Sequence, residues 1–164
     1  MKLSELMKDK TPDPQYSGAV MNDDNVLAVG LTADAEVGDY AVVEVGIEGL
    51  DTDLNAETSD KTYIRRGTSS LKSSQQRTFS VSGDRYIGDE FQDFCFSHKI
   101  QYGTGQACVV PYVYFNLLNG KGEKGQLSII VNSDGSGNGG ESAEIDIELM
   151  STGSKPEEYT YAAN

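Results

Sequence analysis

In the segment AEIDIELM, residues 143–150, apolar and acidic side chains alternate without a break. Ala143, Ile145, Ile147 and Leu149 fall on one side of an extended chain, and Glu144, Asp146 and Glu148 fall on the other. Carboxylates about 7 Å apart on one strand face repel one another and have to stay hydrated. This stretch therefore belongs to a sheet with one dry face and one wet, acidic face. Few folds other than a β-rich one can accept it.

Other segments repeat the period. In DYAVVEVGIE, residues 39–48, Val43, Val45 and Ile47 share one face and Glu44, Gly46 and Glu48 the other, which predicts one long strand. QRTFSVSG, residues 76–83, puts Phe79 and Val81 inward. VLAVGL, residues 26–31, and ACVVPYVYFNLL, residues 107–118, are apolar enough for buried strands, and Pro111 predicts an edge or a bulge for the second. NGKGEKG is a turn, with QLSIIVN returning from it, and SDGSGNGGES reads as a mobile Gly-rich loop. With 164 residues, eighteen Gly, nine Tyr and no Trp, the composition fits a single, mainly β, loop-rich domain.

One segment changes period. In DRYIGDEFQDFCFSHKI, Ile87, Phe91, Phe94 and Cys95 recur at helical spacing, which predicts a single helix of about ten residues near 87–98. Asp89 suits its N-cap, Glu90 and Asp93 its first turn, and His98 and Lys99 its last. Residues 1–25 are polar, carry Pro12 and Pro14, and read as an extended arm that is floppy in a lone copy.

The net charge of −13 is unevenly distributed, with most acids before residue 61 and a basic stretch at 61–100. Such a chain does not grip nucleic acid through its phosphates. Residues 1–10 lack the apolar core of a signal peptide, and no apolar run approaches the ~20 residues of a membrane span. Cys95 and Cys108 sit in apolar runs and are expected as buried free thiols. His98 is the only histidine, and no Cys/His spacing suits zinc. GSGNGG precedes a strand and not a helix, which excludes a dinucleotide loop. DGSGNG places Asp134, Ser136, Asn138 and Gly139 as a calcium loop would, but the twelfth position is Ile145 where a bidentate Glu is needed. No nucleophile–base set is visible, so neither an enzyme nor a cofactor is expected.

The order of elements resembles that of phage tail tube proteins. The resemblance is carried by TYIRRGTSSLKSSQQRTFSVSGDRYIGDEFQDFCFSHKI and GQLSIIVNSDGSGNGGESAEIDIEL and covers roughly residues 39–150. It implies a β-sandwich or small barrel with one flanking helix, residues 1–38 being an extended arm with a first short strand and 151–164 a polar tail. It further implies hexameric rings stacked into a tube in a virion tail, assembled in the cytoplasm of a bacterial host. Lumen strands would join a ring-wide β-barrel through which duplex DNA passes without specific binding, and no membrane would be involved. Partners would be further copies of the chain, with sheath, tape measure, baseplate and tail terminator proteins. A barrel about 40 Å across takes roughly twenty tilted strands, or about four from each of five or six copies.

On this expectation Glu44, Glu48, Glu144, Asp146 and Glu148 line the lumen. Residues 49–62 form a polar arm on a two-stranded ribbon, with TYIRRG as the strand that pairs back. The acids Asp51, Asp53, Glu57 and Asp60 would meet Arg65, Arg66, Lys72 or Arg77 of a neighbouring copy. The alternative reading is a monomeric β-sandwich binding module, with Tyr112 and Tyr114 stacking on a carbohydrate.

Overall fold

Val43 and Gly46 lie at opposite edges of one sheet although only two residues separate them. The main-chain N–H of Val43 donates to Leu27 O at 2.9 Å, while Gly46 O accepts from Asp84 N at 2.8 Å. The computed structural model, which describes residues 1–162, shows why. Its strands are β1 (Asn25–Val29), β2 (Ala41–Val42), β3 (Ile47–Asp53), β4 (Glu57–Tyr63), β5 (Gly67–Ser74), β6 (Thr78–Asp84), β7 (Val109–Asn116), β8 (Lys121–Ser136), β9 (Glu144–Ser151) and β10 (Glu157–Thr160). The helices α1 (Leu3–Leu6), α2 (Glu90–Cys95) and α3 (His98–Gln101) are short. The main sheet has the order β2-β1-β7-β8-β9-β6-β3, with β10 also on β8, and the described pairings are antiparallel. Edge strands β2 and β3 are consecutive in sequence. A four-residue link can join them only if the sheet curls until its edges approach, since an extended residue spans about 3.3–3.6 Å. The result is a small, incompletely closed barrel, and the chain is mainly β as its alternation predicts.

The crossing corrects one expectation. Residues 39–48 do not form one strand, although their alternation is regular. Gly46 has φ +72°, which an L side chain adopts at a cost, and a Cβ on Gly83 would meet Gly46 O at 2.1 Å. The turn at 44–46 leaves Val45 exposed while Val43 is buried.

Strand β8 is the pivot. Its residues 122–128 pair with β7, and 127–136 pair with β9 on the other side. This stagger is the shear that a closing sheet needs. It also puts β7 in the interior of the sheet, between β1 and β8, where Pro111 predicted an edge. The proline is tolerated because Val29, which pairs with Tyr112, is the last residue of β1, and Gly30 N–H still donates to Pro111 O at 2.8 Å. Its missing N–H thus falls where the ladder ends. The Gly-rich loop expected at 133–142 is shorter than predicted, since β8 runs on to Ser136.

The inner face of the barrel holds Leu27, Val29, Phe79, Val81, Leu127, Ile129, Ile147 and Leu149, and Phe91, Cys95 and Ile100 cap it. The capping helix is two pieces and not one. Asp89 caps α2 as predicted, accepting from Gln92 N at 3.1 Å. Ser97 then turns extended, its hydroxyl donates to Phe94 O at 2.7 Å, and α3 begins after it. Ile87 precedes the helix and is 88% exposed, so it is no part of the apolar stripe.

A second apolar cluster covers the outer face of β1, β2 and β7. Val26, Ala28, Val42, Val113 and Phe115 meet Leu3 and Met7 there, both almost fully buried. The start of the arm is therefore docked, where an extended, floppy arm was expected. Leu3, Leu6 and Met7 fall at i, i+3 and i+4, enough to bury one helical turn. The tail joins the same cluster: Tyr161 stacks on Phe115 at 5.5 Å, and Tyr159 meets it edge-on at 5.9 Å. Residues 163–164 of the expected tail lie outside the described residues.

Candidate functional site

The other half of the sheet has no such cover. On β9, Ile145, Ile147 and Leu149 are buried while Glu144 and Asp146 are exposed and Glu148 is half-buried. The register extends this face to both sides. Asp51, Ser80 and Glu148 form one cross-strand row, Gly49, Ser82 and Asp146 the next, and Asp84 pairs with Glu144. Ser80 on β6 thus holds Asp51 and Glu148 about 10 Å apart, two strand spacings. Asp53 follows on β3, its carboxylate accepting from Asn55 N at 2.7 Å. Strands β3, β6, β9 and the far half of β8 therefore form a four-stranded plate, dry inside and acidic outside.

Among the described residues, both edges of this plate lack a strand partner. Strand β3 pairs with β6 on one side, and no described main-chain hydrogen bond reaches its other edge between Glu48 and Asp53. On β8, β7 stops at Ser128, and among the described residues no strand pairs with 129–136 on that side, although α3 and the turn before β7 lie against β8. Unpaired edges of this length are templates for a further strand.

The predicted lumen set is divided by this geometry. Glu144, Asp146 and Glu148 lie together on the plate. Glu44 sits in the crossing turn and Glu48 at a bulge on the edge of β3, and both line a groove at the seam of the barrel together with Asp23. Asp51 and Asp53, expected at a subunit contact, lie on the edge strand of the same acidic plate, a place that only the register of β3 on β6 reveals.

Residues 57–74 form the polar arm, a hairpin of β4 and β5 in which every residue is exposed. TYIRRG is the end of β4 and the turn, not a full strand: Ile64, Arg65 and Arg66 are the tip, with Arg65 at φ +61°. Glu57 and Asp60 lie near the root, and among the described residues no ion pair engages them or Lys61, Arg65, Arg66 or Lys72. Tyr63, Ile64 and Leu71 add 51%, 85% and 69% exposed apolar side chains. A two-stranded hairpin with nothing packed on either face is marginal in water.

Arg77 is occupied inside its own subunit. Its Nε lies 2.6 Å from Glu123 Oε1, a charge contact without good hydrogen-bond alignment, and its guanidinium sits 5.0 Å from the rings of both Phe79 and Tyr114. Tyr112 is buried and Tyr114 packs on Phe79, so neither presents a stacking face to a sugar. Burial drives the Tyr112 phenol far above its ordinary value, and the nearby Glu123 charge adds to this. His98 packs at a tilt on Tyr102, ring centroids 4.8 Å apart, and Cys95 and Cys108 are buried free thiols. Asp134 accepts from Gln101 Nε2 at 2.9 Å.

The residue that sequence reasoning missed is Gln92. It is fully buried, donates to Val45 O at 2.8 Å and Asp84 O at 3.1 Å, and accepts from Tyr86 N at 2.9 Å. It ties the cap to the seam. A glutamine on the apolar side of an otherwise short amphipathic helix was its only signal.

No protein-family description and no curated protein sequence matches this chain. Solved structures do. One is the tail of an empty gene transfer agent particle refined helically with C6 symmetry, at TM-score 0.59 and 19% identity over 88% of this chain and 100% of that one. Another is the virion of a native gene transfer agent particle, at 0.55 and 18% over 88% and 100%. A third is the tube-terminating cap of the anti-feeding prophage, at 0.52 and 13% over 91% and 96%. The chain thus shares its fold with components of gene transfer agent tails and of a tube cap.

Proposed function

We propose that this chain is a non-enzymatic structural subunit of a phage-like tail, and that it builds the tube by forming rings that stack. The observation that carries this reading is the four-stranded acidic plate with two bare edges of similar length. In every ring, β3 of one copy pairs with residues 129–136 of the next. Strand directions already alternate across the plate, so this joint continues the antiparallel pattern and removes the exposed edges. Six copies, the symmetry of the similar gene transfer agent tail, supply about twenty-four strands, close to the roughly twenty that a barrel 40 Å wide needs.

In this ring the plate's acidic outer face turns toward the axis, because its apolar inner face is already occupied by the subunit's own core. Asp51, Asp53, Asp84, Glu144, Asp146 and Glu148 then line a channel that repels phosphate, so duplex DNA slides through without adhesive sites. The covered half, with α1, Tyr159 and Tyr161 packed on it, faces outward, where sheath would sit. Tape measure, baseplate and terminator proteins meet the lumen or the tube ends, and the assembled protein resides in the particle's tail.

Electron microscopy of the purified, concentrated chain tests the proposal. Stacked rings or tubes are the expected result. Dispersed single particles under all conditions that promote polymerisation would overturn it.

A further inference from the structure

The groove at the seam has about 280 Å³ of space and lies between the edge of β3 and the β1–β2 side of the barrel. Its floor is apolar, with Leu6, Val26 and Leu50, and its rim is Asp23, Glu44 and Glu48. No Lys or Arg lines it, and among the described residues none of the three rim carboxylates is in an ion pair. An apolar slot with an unneutralised acidic rim fits a protruding apolar side chain flanked by cations. The hairpin tip has that chemistry: Ile64, 85% exposed, stands beside Arg65 and Arg66, neither of them paired. The chain's own hairpin is exposed throughout, so it does not fill its own groove.

We propose that the hairpin tip of one copy seats in the seam groove of a second copy, with Ile64 on the apolar floor and Arg65 and Arg66 against Asp23, Glu44 and Glu48. This rests on the self-assembly proposed above and names the surface that receives the arm. The contact orders a hairpin that has no support in a lone copy. It also covers Glu44 and Glu48, whose place at the rim explains why they are absent from the acidic plate.

The test uses full-length chains. Ile64→Cys in one preparation and Glu48→Cys in another are mixed and treated with a short bismaleimide; the native Cys95 and Cys108 are buried and silent. The mixed pair should link at least tenfold more than Ile64→Cys with the control Asn138→Cys. Arg66→Glu should raise the concentration needed for assembly at least tenfold, and adding Glu48→Arg to the same chain should restore it. Tubes without the link overturn the docking and leave the tube reading intact. A link in oligomers that are not tubes supports the docking while contradicting the tube. A chain that stays monomeric and unlinked overturns both.

Discussion

Gln92 donates its side-chain amide to the main-chain oxygen of Val45 at 2.8 Å, across 47 positions of sequence. This bond fastens helix α2 to the turn that carries the chain from one sheet edge to the other. The same side chain also serves Asp84 O and Tyr86 N, so removing it orphans several main-chain groups at once. Gln92→Leu keeps most of the volume and loses every bond. Urea unfolding should show a loss of roughly 2–4 kcal/mol, the usual cost of buried polar groups left without partners. A change under about 0.5 kcal/mol, the size of a surface substitution, would contradict this role.

Arg77, just before β6, and Glu123, near the start of β8, form a second internal tie, 14% and 24% exposed. Either single replacement, Arg77→Met or Glu123→Leu, leaves a poorly solvated charge behind. Partial exposure lowers the penalty below that of a fully buried pair, to about 1–3 kcal/mol. The double replacement should recover most of it. Additive losses in the double-mutant cycle would place the two side chains in no shared interaction.

The proposed assembly makes the hairpin dispensable for folding and required for tube formation. Joining Ala56 to Gln75 through a short Gly-Ser turn removes only exposed residues. Unfolding stability should change by no more than about 0.5 kcal/mol. Sedimentation should show the trimmed chain as a monomer at concentrations where the complete chain forms tubes. Normal tubes from the trimmed chain would refute the arm's role.

Alkali should weaken the fold in a definite order. Burial raises Cys95 above its ordinary 9.0, and burial likewise raises Tyr112 and Tyr114 above 10.0. The native state keeps these protons after the unfolded chain has released them, so stability falls as pH rises past about 9 and again past about 10. Cys95→Ala should lower stability at neutral pH by leaving a small cavity, yet flatten its decline between pH 8 and 10. Ellman's reagent should leave native Cys95 unreacted at neutral pH, and rapid labelling there would contradict its burial.

The sequence announces some of this architecture and conceals the rest. Residues 143–150 are legible because the apolar period is unbroken and the strand is buried on one face only. Residues 39–48 show the same period and mislead, because it takes one positive φ, at Gly46, to end a strand without disturbing its hydropathy. Strand β5 is silent for another reason: Thr68, Ser69, Ser70 and Ser73 are polar on both faces, so there is no alternation to read. Leu3 and Met7 are too few to mark an amphipathic helix, and their burial depends on a tertiary surface that no local pattern encodes. Part of the acidic face was found for this reason. Glu144, Asp146 and Glu148 follow from one strand, whereas Asp51 and Asp53 required the register of β3 on β6.

A helical reconstruction of the assembled chain tests the central claim most directly, by showing which way the plate faces. The account predicts Asp146 and its neighbours Glu144 and Glu148 pointing at the axis, with residues 1–10 on the outer wall. A tube with Asp146 on its outside and Leu3 toward the lumen would contradict it.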